Sequence, residues 1–229
     1  MLDLLAVGAH PDDVEIGMGG SLATLVARGR QVGILDLTDG EPTPTGSPEA
    51  RLEESRQAAA VLGVTWRETL DLPNRYLQDS IENRKRVAAV LRRVRPRLVA
   101  VPYWIDAHPD HVAACQLMEA AAFYTKLTRS DIPGEPAPIP RMVHYFCNHY
   151  RLHPHPSFVL DISGQLETKL QAVRVYRSQF NEERQNLGIF ERVAAHARYW
   201  GGLIGAEAGE VFFSREPIRL TSFDSLCGL

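Results

Sequence analysis

Short apolar runs alternate with segments of helical periodicity through the first half of the chain. Short, mostly apolar runs predict strands at 2–9, 32–37, 69–72 and 98–102. Apolar residues at helical spacing predict helices at 21–28 and 81–94. A Ser-Pro-Glu start predicts a helix at 48–62, and a further helix is predicted at 109–124. This alternation predicts an α/β fold, in which a Rossmann-like, mainly parallel sheet carries helices on both faces.

The second half of the chain has a less regular pattern. It predicts strands at 142–150 and 157–162, short closing strands at 211–213 and 218–220, and helices at 165–178 and 190–204. The polar, proline-rich segment 126–140 predicts a long loop, a lid or an interface arm. A length of 229 residues fits one domain or a core with an appended subdomain, and we predict a single domain over 1–229.

Composition and charge exclude several classes of protein. A net charge of -3 without a basic stripe argues against a nucleic-acid partner, because such partners need clustered Lys and Arg. The three cysteines are far apart and lack C-x-x-C spacing, which argues against both a disulfide framework and a thiolate zinc site. The apolar run at 2–9 is too short for a signal peptide or a membrane span. We therefore expect a cytoplasmic protein with no membrane partner.

Two polar clusters follow predicted strands of the first half. His-Pro-Asp-Asp at 10–13 follows the first strand, and Asp-Ala-His-Pro-Asp-His at 106–111 follows the fourth. A lone His or Asp at a strand end is more often a cap or a hydrogen-bonding core residue. Ligands of open parallel sheets bind beyond the carboxyl ends of the strands, so two His-Pro-Asp sequences at such ends indicate one shared site.

The residue types of the two clusters favour a catalytic metal. Such a site typically offers three protein ligands and one open position, and His10, Asp13 and His111 would supply two nitrogens and one oxygen. These ligands suit Zn²⁺, and Fe²⁺ accepts a similar set, so the physiological metal stays open. Asp12 lies beside a proposed ligand, which is where a general base acting on water is needed.

His108 and Asp110 form a further pair with two interpretations. A carboxylate that hydrogen-bonds an imidazole favours its protonated form, so a protonated His108 could stabilise an oxyanion or protonate a leaving amine. Asp110 could instead act only as the N-cap of the helix beginning near His111. The sequence leaves both roles open, and they are compatible.

Two motifs carry a family resemblance: AHPDDVEIG at 9–17, and a stretch at 102–111 that ends in HPDH. Both are similar to motifs of the PIG-L or LmbE family of zinc deacetylases. Members of this family remove acetyl groups from N-acetylglucosaminyl lipids, conjugates or related sugars. The resemblance extends over most of the chain, and because relatives are often oligomeric it also implies a homo-oligomer.

The resemblance implies a role for each matching residue. By this resemblance, the zinc ligands are His10, Asp13 and His111. It makes Asp12 the base and His108 an electrophile supported by Asp110. Arg51 matches an arginine near the substrate in the family, where a guanidinium suits carboxylates through paired hydrogen bonds. The alternative for Arg51 is a surface charge on a helix.

Later segments resemble the bacterial branch that serves bacillithiol biosynthesis and deacetylates N-acetylglucosaminyl malate. They are 157–162, Lys169, 176–180 and 198–201. The chain departs from close relatives near its C-terminus, where the family tyrosine falls on Ala208. This departure leaves the metal motif intact but puts the substrate and the rate in doubt.

Three other functions compete with this one. The substrate could be free N-acetylglucosamine, chitobiose or another amide conjugate. A nucleotide-binding module would use Gly17, Gly19 and Gly20, but the G-x-G-x-x-G spacing is absent. A silent metal- or sugar-binding protein would not need Asp12. Any of the scattered histidines His144, His149, His153 and His155 could line the pocket, although the run from His153 to Pro156 is more typical of a stiff exposed turn.

Overall fold

The elements follow the predicted alternation of strand and helix. The computed structural model describes residues 1–138, 140–146, 153–220 and 222. Its strands are β1 (Leu4–Gly8), β2 (Val32–Asp36), β3 (Trp66–Thr69), β4 (Leu98–Pro102), β5 (Arg141–Tyr145), β6 (Phe158–Asp161) and β7 (Gly209–Phe213). Its helices are α1 (Asp13–Ala27), α2 (Pro48–Leu62), α3 (Ile81–Val94), α4 (Pro109–Tyr124), α5 (Leu166–Arg174) and α6 (Ile189–Leu203).

All seven strands join one sheet in the order β3-β2-β1-β4-β5-β7-β6. The first five strands run parallel, and β7 runs antiparallel to both of its neighbours. Successive residues of β1 point to opposite faces: Leu4 and Ala6 pack under α1, α2 and α5, whereas Leu5 and Val7 pack under α3 and α4. The predicted α/β class, with a mainly parallel sheet and helices on both faces, is confirmed.

Helix α1 begins well before the predicted start at Ser21, because its glycine-rich first half is helical. A Cβ on Gly17 would lie 2.3 Å from Cδ2 of Tyr145, and one on Gly20 would lie 2.5 Å from Cδ1 of Ile162. These glycines therefore permit close packing of the helix on its neighbours. The helix bends at Met18, whose φ is -148°. The glycines serve packing here, which leaves the nucleotide-binding interpretation without a phosphate loop.

Other deviations concern the edges of elements. The predicted strand at 69–72 lies earlier, at Trp66–Thr69, and the predicted closing strand at 218–220 does not form. Residues 147–150 of another predicted strand, including His149, lie outside the described residues. Within the described ranges, no helix combines the length and the apolar character that crossing a membrane requires.

The long segment after α4 is anchored to α3. The Arg92 side chain is buried and donates hydrogen bonds to the carbonyls of Thr125 (3.1 Å), Leu127 (2.6 Å) and Ile132 (2.7 Å). A guanidinium has donors enough for several carbonyls, so it replaces the regular backbone pairing that a loop lacks. Of the alternatives for this segment, the long loop is what the structure shows for its described part.

Candidate active site

The two polar clusters lie at the same edge of the sheet. β1 and β4 are hydrogen-bonded parallel neighbours, so the loops after Gly8 and Pro102 leave the sheet side by side. The point between these strands is also where the strand order reverses, the usual ligand position in open α/β sheets. The fold thus brings residues 10–13 against residues 106–111.

Asp13 joins the two clusters. Its Oδ1 lies 3.1 Å from Nε2 of His111, and its Oδ2 lies 3.4 Å from Nδ1 of His10. Asp106 Oδ2 is 3.1 Å from the other ring nitrogen of His111 and so orients that ring. The predicted set of two imidazoles and one carboxylate is therefore assembled in space.

His108 adds a third imidazole to this group. One ring nitrogen each from His10, His108 and His111 lie within 4.8 Å of one another. The His108 and His111 rings are stacked with centroids 4.9 Å apart, and the His10 centroid is 4.7 Å from that of His108. The structure thus holds more nitrogen donors near Asp13 than the sequence analysis assigned to the metal.

The donor set fits a divalent metal ion in its chemistry, and binding would displace the proton that His10 otherwise holds. Burial alone would raise the pKa of Asp13, but the charges of His111 and His10 and their hydrogen bonds hold it well below its usual range. Burial alone would lower the pKa of His10, but hydrogen bonds to Asp110 and Asp13 raise it to about 9. Anionic oxygen beside imidazole nitrogens is the ligand combination of many catalytic zinc sites.

Asp12 has a strained backbone at the N-terminal end of α1. Its φ is 109°, in the left-handed region that non-glycine residues rarely adopt. Burial raises the pKa of Asp12 to about 7, despite the opposing charge of Arg51. A carboxylate with a pKa near neutrality is suited to take up and return a proton.

Arg51 is buried against Asp12. It is 3% exposed, its Nη2 donates to the Pro11 carbonyl at 2.5 Å, and the same Nη2 lies 3.5 Å from Asp12 Oδ2. Its Nε and Nη1 have no hydrogen-bond partner among the described residues. Arg51 is therefore not the surface charge of the alternative interpretation, and two of its donor nitrogens are buried without a hydrogen-bond partner among the described residues.

His108 and Asp110 differ from both sequence interpretations. The N-cap of α4 is His108, whose Nδ1 accepts a hydrogen bond from the Asp110 backbone N–H at 3.2 Å, so the prediction that Asp110 caps the helix is wrong. Burial lowers the pKa of His108 to about 4, aided by His10 and His111. The hydrogen bond places no proton on Nδ1, so the His108 ring is neutral in this structure, unlike the imidazolium of the other interpretation.

The Asp110 carboxylate serves other partners. It lies 3.2 Å from Nε2 of His10 and accepts hydrogen bonds from the backbone N–H groups of Arg75 at 2.7 Å and Leu77 at 3.4 Å. Burial opposes ionisation, but these hydrogen bonds from His10 and Arg75 lower the pKa of Asp110. Asp110 thus orients His10 and fixes the loop before α3.

A buried ionic network packs next to the site residues. The sequence did not predict this network. Arg67 donates to both oxygens of Asp36, at 2.7 and 3.0 Å, and to Glu15 at 2.5 Å. Tyr176 also donates to Glu15, at 2.8 Å, and its ring lies 5.6 Å from the Arg51 guanidinium. The one available signal was Glu15, a charged residue inside the first motif.

A cavity of about 1040 Å³ lies against the site. Its lining includes His10, Asp12, Asp13, Arg51 and His108. The lining also includes residues to which the sequence analysis assigned no role, namely Thr43, Asn74, Arg75, Gln179, Phe180, Arg184, Asn186, Ile189, Arg192 and His196. They come from loops and from α6, and among them only Gln179 and Phe180 belong to a segment that the sequence singled out, 176–180. The volume exceeds what one sugar ring needs and is large enough for a conjugate.

The structure shows where His153 and Ala208 lie relative to the cavity. His153 is exposed as expected of a stiff turn, yet it also lines the cavity and stacks on Trp200 with centroids 5.3 Å apart. Ala208 is fully buried with Ile162 and Leu166, and it is not among the residues lining the cavity. Its methyl group therefore leaves no gap in the cavity wall.

The chain is similar in sequence to a known protein family and to a named deacetylase. Residues 5–122 match the model of the family described as PIG-L: GlcNAc-PI de-N-acetylase. Diacetylchitobiose deacetylase of Thermococcus kodakarensis is 35% identical over 195 residues, which cover 79% of this chain and 71% of that protein.

Two solved structures extend the likeness. The conserved protein TT1542 from Thermus thermophilus is 41% identical, with a TM-score of 0.89 over 96% of this chain and 98% of that chain. N,N'-diacetylchitobiose deacetylase from Pyrococcus horikoshii, solved with its inhibitor MPG, is 29% identical, with a TM-score of 0.77 over 91% of this chain and 82% of that chain.

Proposed function

The chain belongs to the PIG-L family, and from that premise we propose that it removes the N-acetyl group from an N-acetylglucosamine conjugate with the help of a divalent metal ion. The observation that carries this proposal is the convergence of His10 and His111 on Asp13, at a large cavity that His10 and Asp13 line. The relatives at 35% and 29% identity are named as deacetylases of an N-acetylated disaccharide.

We assign three residues to the metal: His10, Asp13 and His111. A divalent ion bound there supplies Lewis-acid polarisation of the amide carbonyl. Zinc suits the donor set, and ferrous iron remains an alternative. The remaining chemistry belongs to side chains of this chain.

Asp12 acts as the base in this proposal. It takes a proton from the attacking water as the water oxygen bonds to the acetyl carbon, and it returns that proton to the sugar nitrogen as the C–N bond breaks. Its pKa of about 7, raised by burial, suits both transfers at neutral pH. Arg51, 3.5 Å away, restrains the carboxylate.

His108 stabilises the developing oxyanion as a neutral hydrogen-bond donor. Because its Nδ1 accepts from the Asp110 backbone, its proton is on Nε2. That N–H can donate to the tetrahedral oxygen without an imidazolium. The role of returning the proton then falls to Asp12 rather than to His108.

Metal removal tests the proposal. We expect acetate release from an N-acetylglucosamine conjugate to stop after chelation and to return when zinc or ferrous iron is added. Metal content should fall in parallel in His111→Ala, which supplies a measurement that does not depend on activity. Unchanged turnover after complete metal removal would defeat the proposal.

Within this function we propose N-acetylglucosaminyl malate, in bacillithiol biosynthesis, as the substrate. Arg184 and Arg192 both line the cavity, and neither is ion-paired with a carboxylate among the described residues. The Arg184 guanidinium donates to the neutral amide oxygen of Gln179 at 2.6 Å, and this is its one hydrogen bond among those residues. Arginines without carboxylate partners that line a pocket suit the carboxylates of malate.

Kinetic comparison separates this substrate from neutral ones. We expect Arg184→Gln and Arg192→Gln each to lower kcat/KM for the malate conjugate by about 10- to 100-fold, since a hydrogen bond to a charged group is typically about 1.5–3 kcal/mol. Turnover of diacetylchitobiose should stay unchanged. Arg198→Gln, on the same helix as Arg192 but outside the cavity wall, is the control. Equal losses on both substrates, or none, would contradict the malate proposal.

Several predictions from the sequence accompany this proposal. We propose a single domain over 1–229, a cytoplasmic location, no nucleic-acid partner and a homo-oligomeric state. Light scattering during gel filtration tests the last of these, and a monomer would contradict it.

A further inference from the structure

A second group of metal-binding side chains lies on α4, outside the active site. Cys115 and Glu119 follow His111 at successive intervals of four residues, so the three share one stripe of the helix. His144 of β5 packs against this stripe, with Nε2 3.0 Å from Glu119 Oε1. We propose that Cys115, Glu119 and His144 form a second binding site for a divalent transition-metal ion.

The donor atoms are close enough to share an ion. One potential ligand atom from each of the three residues lies within 4.8 Å of the other two. Thiolate, imidazole and carboxylate together suit Zn²⁺ and leave a coordination position for solvent. This donor set differs from the catalytic one, which contains no sulfur.

Two of the three side chains of this site are buried, but an ion can approach the third from solvent. Cys115 and His144 are buried, at 0% and 1% exposure, whereas the Glu119 side chain is about a third exposed, at 32%. An ion can therefore reach the group from the Glu119 side. Burial raises the pKa of the Cys115 thiol to about 12, so ion binding must release a proton from sulfur.

In this structure the positive charge of Arg215 balances the negative charge of Glu119, as a bound metal ion would. Its Nε donates to Glu119 Oε1 at 2.5 Å, its guanidinium lies 4.4 Å from the centroid of the Trp104 ring, and it also interacts with Cys115. The Arg215 side chain is half exposed, at 49%, and follows β7 in a segment without helix or strand. It can swing into solvent without breaking an element, so Arg215 and the ion compete for Glu119.

Trp104 links this site to the catalytic loop. Its ring meets the His144 ring edge-on at 4.8 Å, and it precedes the cluster at 106–111. An ion held by Cys115 and His144 would therefore be connected through Trp104 to the loop that carries Asp106 and His108.

Cobalt titration tests the second site by a signal that the catalytic site cannot produce. A thiolate bound to Co²⁺ gives a charge-transfer band in the near ultraviolet, and the catalytic ligands include no cysteine. The whole, reduced protein is stripped of metal and titrated with Co²⁺. We expect the band and a second equivalent of bound metal in the wild type, and we expect the band to persist in His111→Ala, where the catalytic ligand set is broken.

Matched variants separate the site from other cysteines. Cys115→Ser should lose the band and the second equivalent while keeping deacetylase activity, and Glu119→Gln should weaken cobalt binding by about tenfold or more. Arg215→Gln should show the band at lower cobalt concentration, because the competitor is gone. Absence of the band in the wild type at saturating cobalt, or its persistence in Cys115→Ser, would overturn the proposal.

Discussion

Asp13 Oδ1 lies 3.1 Å from His111 Nε2, and this contact unites two motifs that are distant in sequence. The carboxylate comes from the first turn of α1 and the imidazole from the first turn of α4. Both helices follow adjacent parallel strands, so the contact depends on the pairing of β1 with β4. Separate substitutions on the two sides of this contact can therefore distinguish what each motif does.

Asp12→Asn should abolish the base and leave the metal ligands in place. Asparagine tolerates the left-handed backbone that Asp12 adopts, with φ of 109°, so the fold should persist. We expect kcat to fall by about 10²- to 10⁴-fold, the usual contribution of a general base. Metal content, measured on the purified variant, should match the wild type. Retained activity would contradict the assignment of Asp12.

His111→Ala and His108→Ala separate ligand from electrophile, although the two rings are stacked 4.9 Å apart. His111→Ala should lose the metal from the catalytic site and all activity. His108→Ala should keep the metal and lose about 10²- to 10³-fold in kcat, as expected for an oxyanion donor. Metal analysis of both variants distinguishes the roles. Equal loss of metal in both would make His108 a ligand and remove its proposed role.

His10 should give the chelator-treated protein a characteristic pH dependence. Its pKa is raised from 6.5 to about 9, so its stabilisation is fully present below pH 6.5 and is lost as the pH rises through about 9. The full effect is about 3 kcal/mol of unfolding free energy, because one pKa unit corresponds to about 1.4 kcal/mol. Urea unfolding across this range should show the decline in the wild type but not in His10→Gln. Parallel curves would contradict the prediction.

Arg67→Met should destabilise the fold severely. It would leave Asp36 and Glu15 buried without their partner, and a buried ion pair broken on one side costs about 3–5 kcal/mol. Arg93→Met is the matched control, because Arg93 pairs with Glu68 on the surface, where such pairs are worth about 0–1 kcal/mol. Urea midpoints give both values. Similar losses in the two variants would show that the buried network lacks the proposed importance.

Ala208→Tyr should not improve the enzyme. Ala208 is completely buried and packs with Ile162 and Leu166, so a phenol in place of its methyl group would have to displace core side chains. Overpacking of this kind costs about 1–3 kcal/mol or more. Thermal unfolding should show a lower Tm with no rise in kcat. A variant that was more active and equally stable would place position 208 at the cavity.

Much of the fold could be read from local pattern. The apolar run of β4 and the helical periodicity of α3 placed these elements correctly, because the core imposes its period on the sequence. The start of α1 was missed because Gly17 and Gly20 hide the helical pattern, and they are there for contacts with Tyr145 and Ile162. Glycines that serve close packing look like loop residues until their neighbours are known.

The sequence by itself determined the chemistry that is available: two His-Pro-Asp motifs at strand ends, with the carboxylate of Asp12 next to a ligand type. Only the tertiary structure decided how these groups are used. Whether His108 is charged depends on burial and on the hydrogen bond from the Asp110 backbone, and neither is visible in residue order. Likewise, Arg184 and Arg192 reach the cavity from a distant part of the chain. Local order specifies which groups exist, but long-range packing sets their distances and their solvent exposure, and these two quantities control protonation and binding.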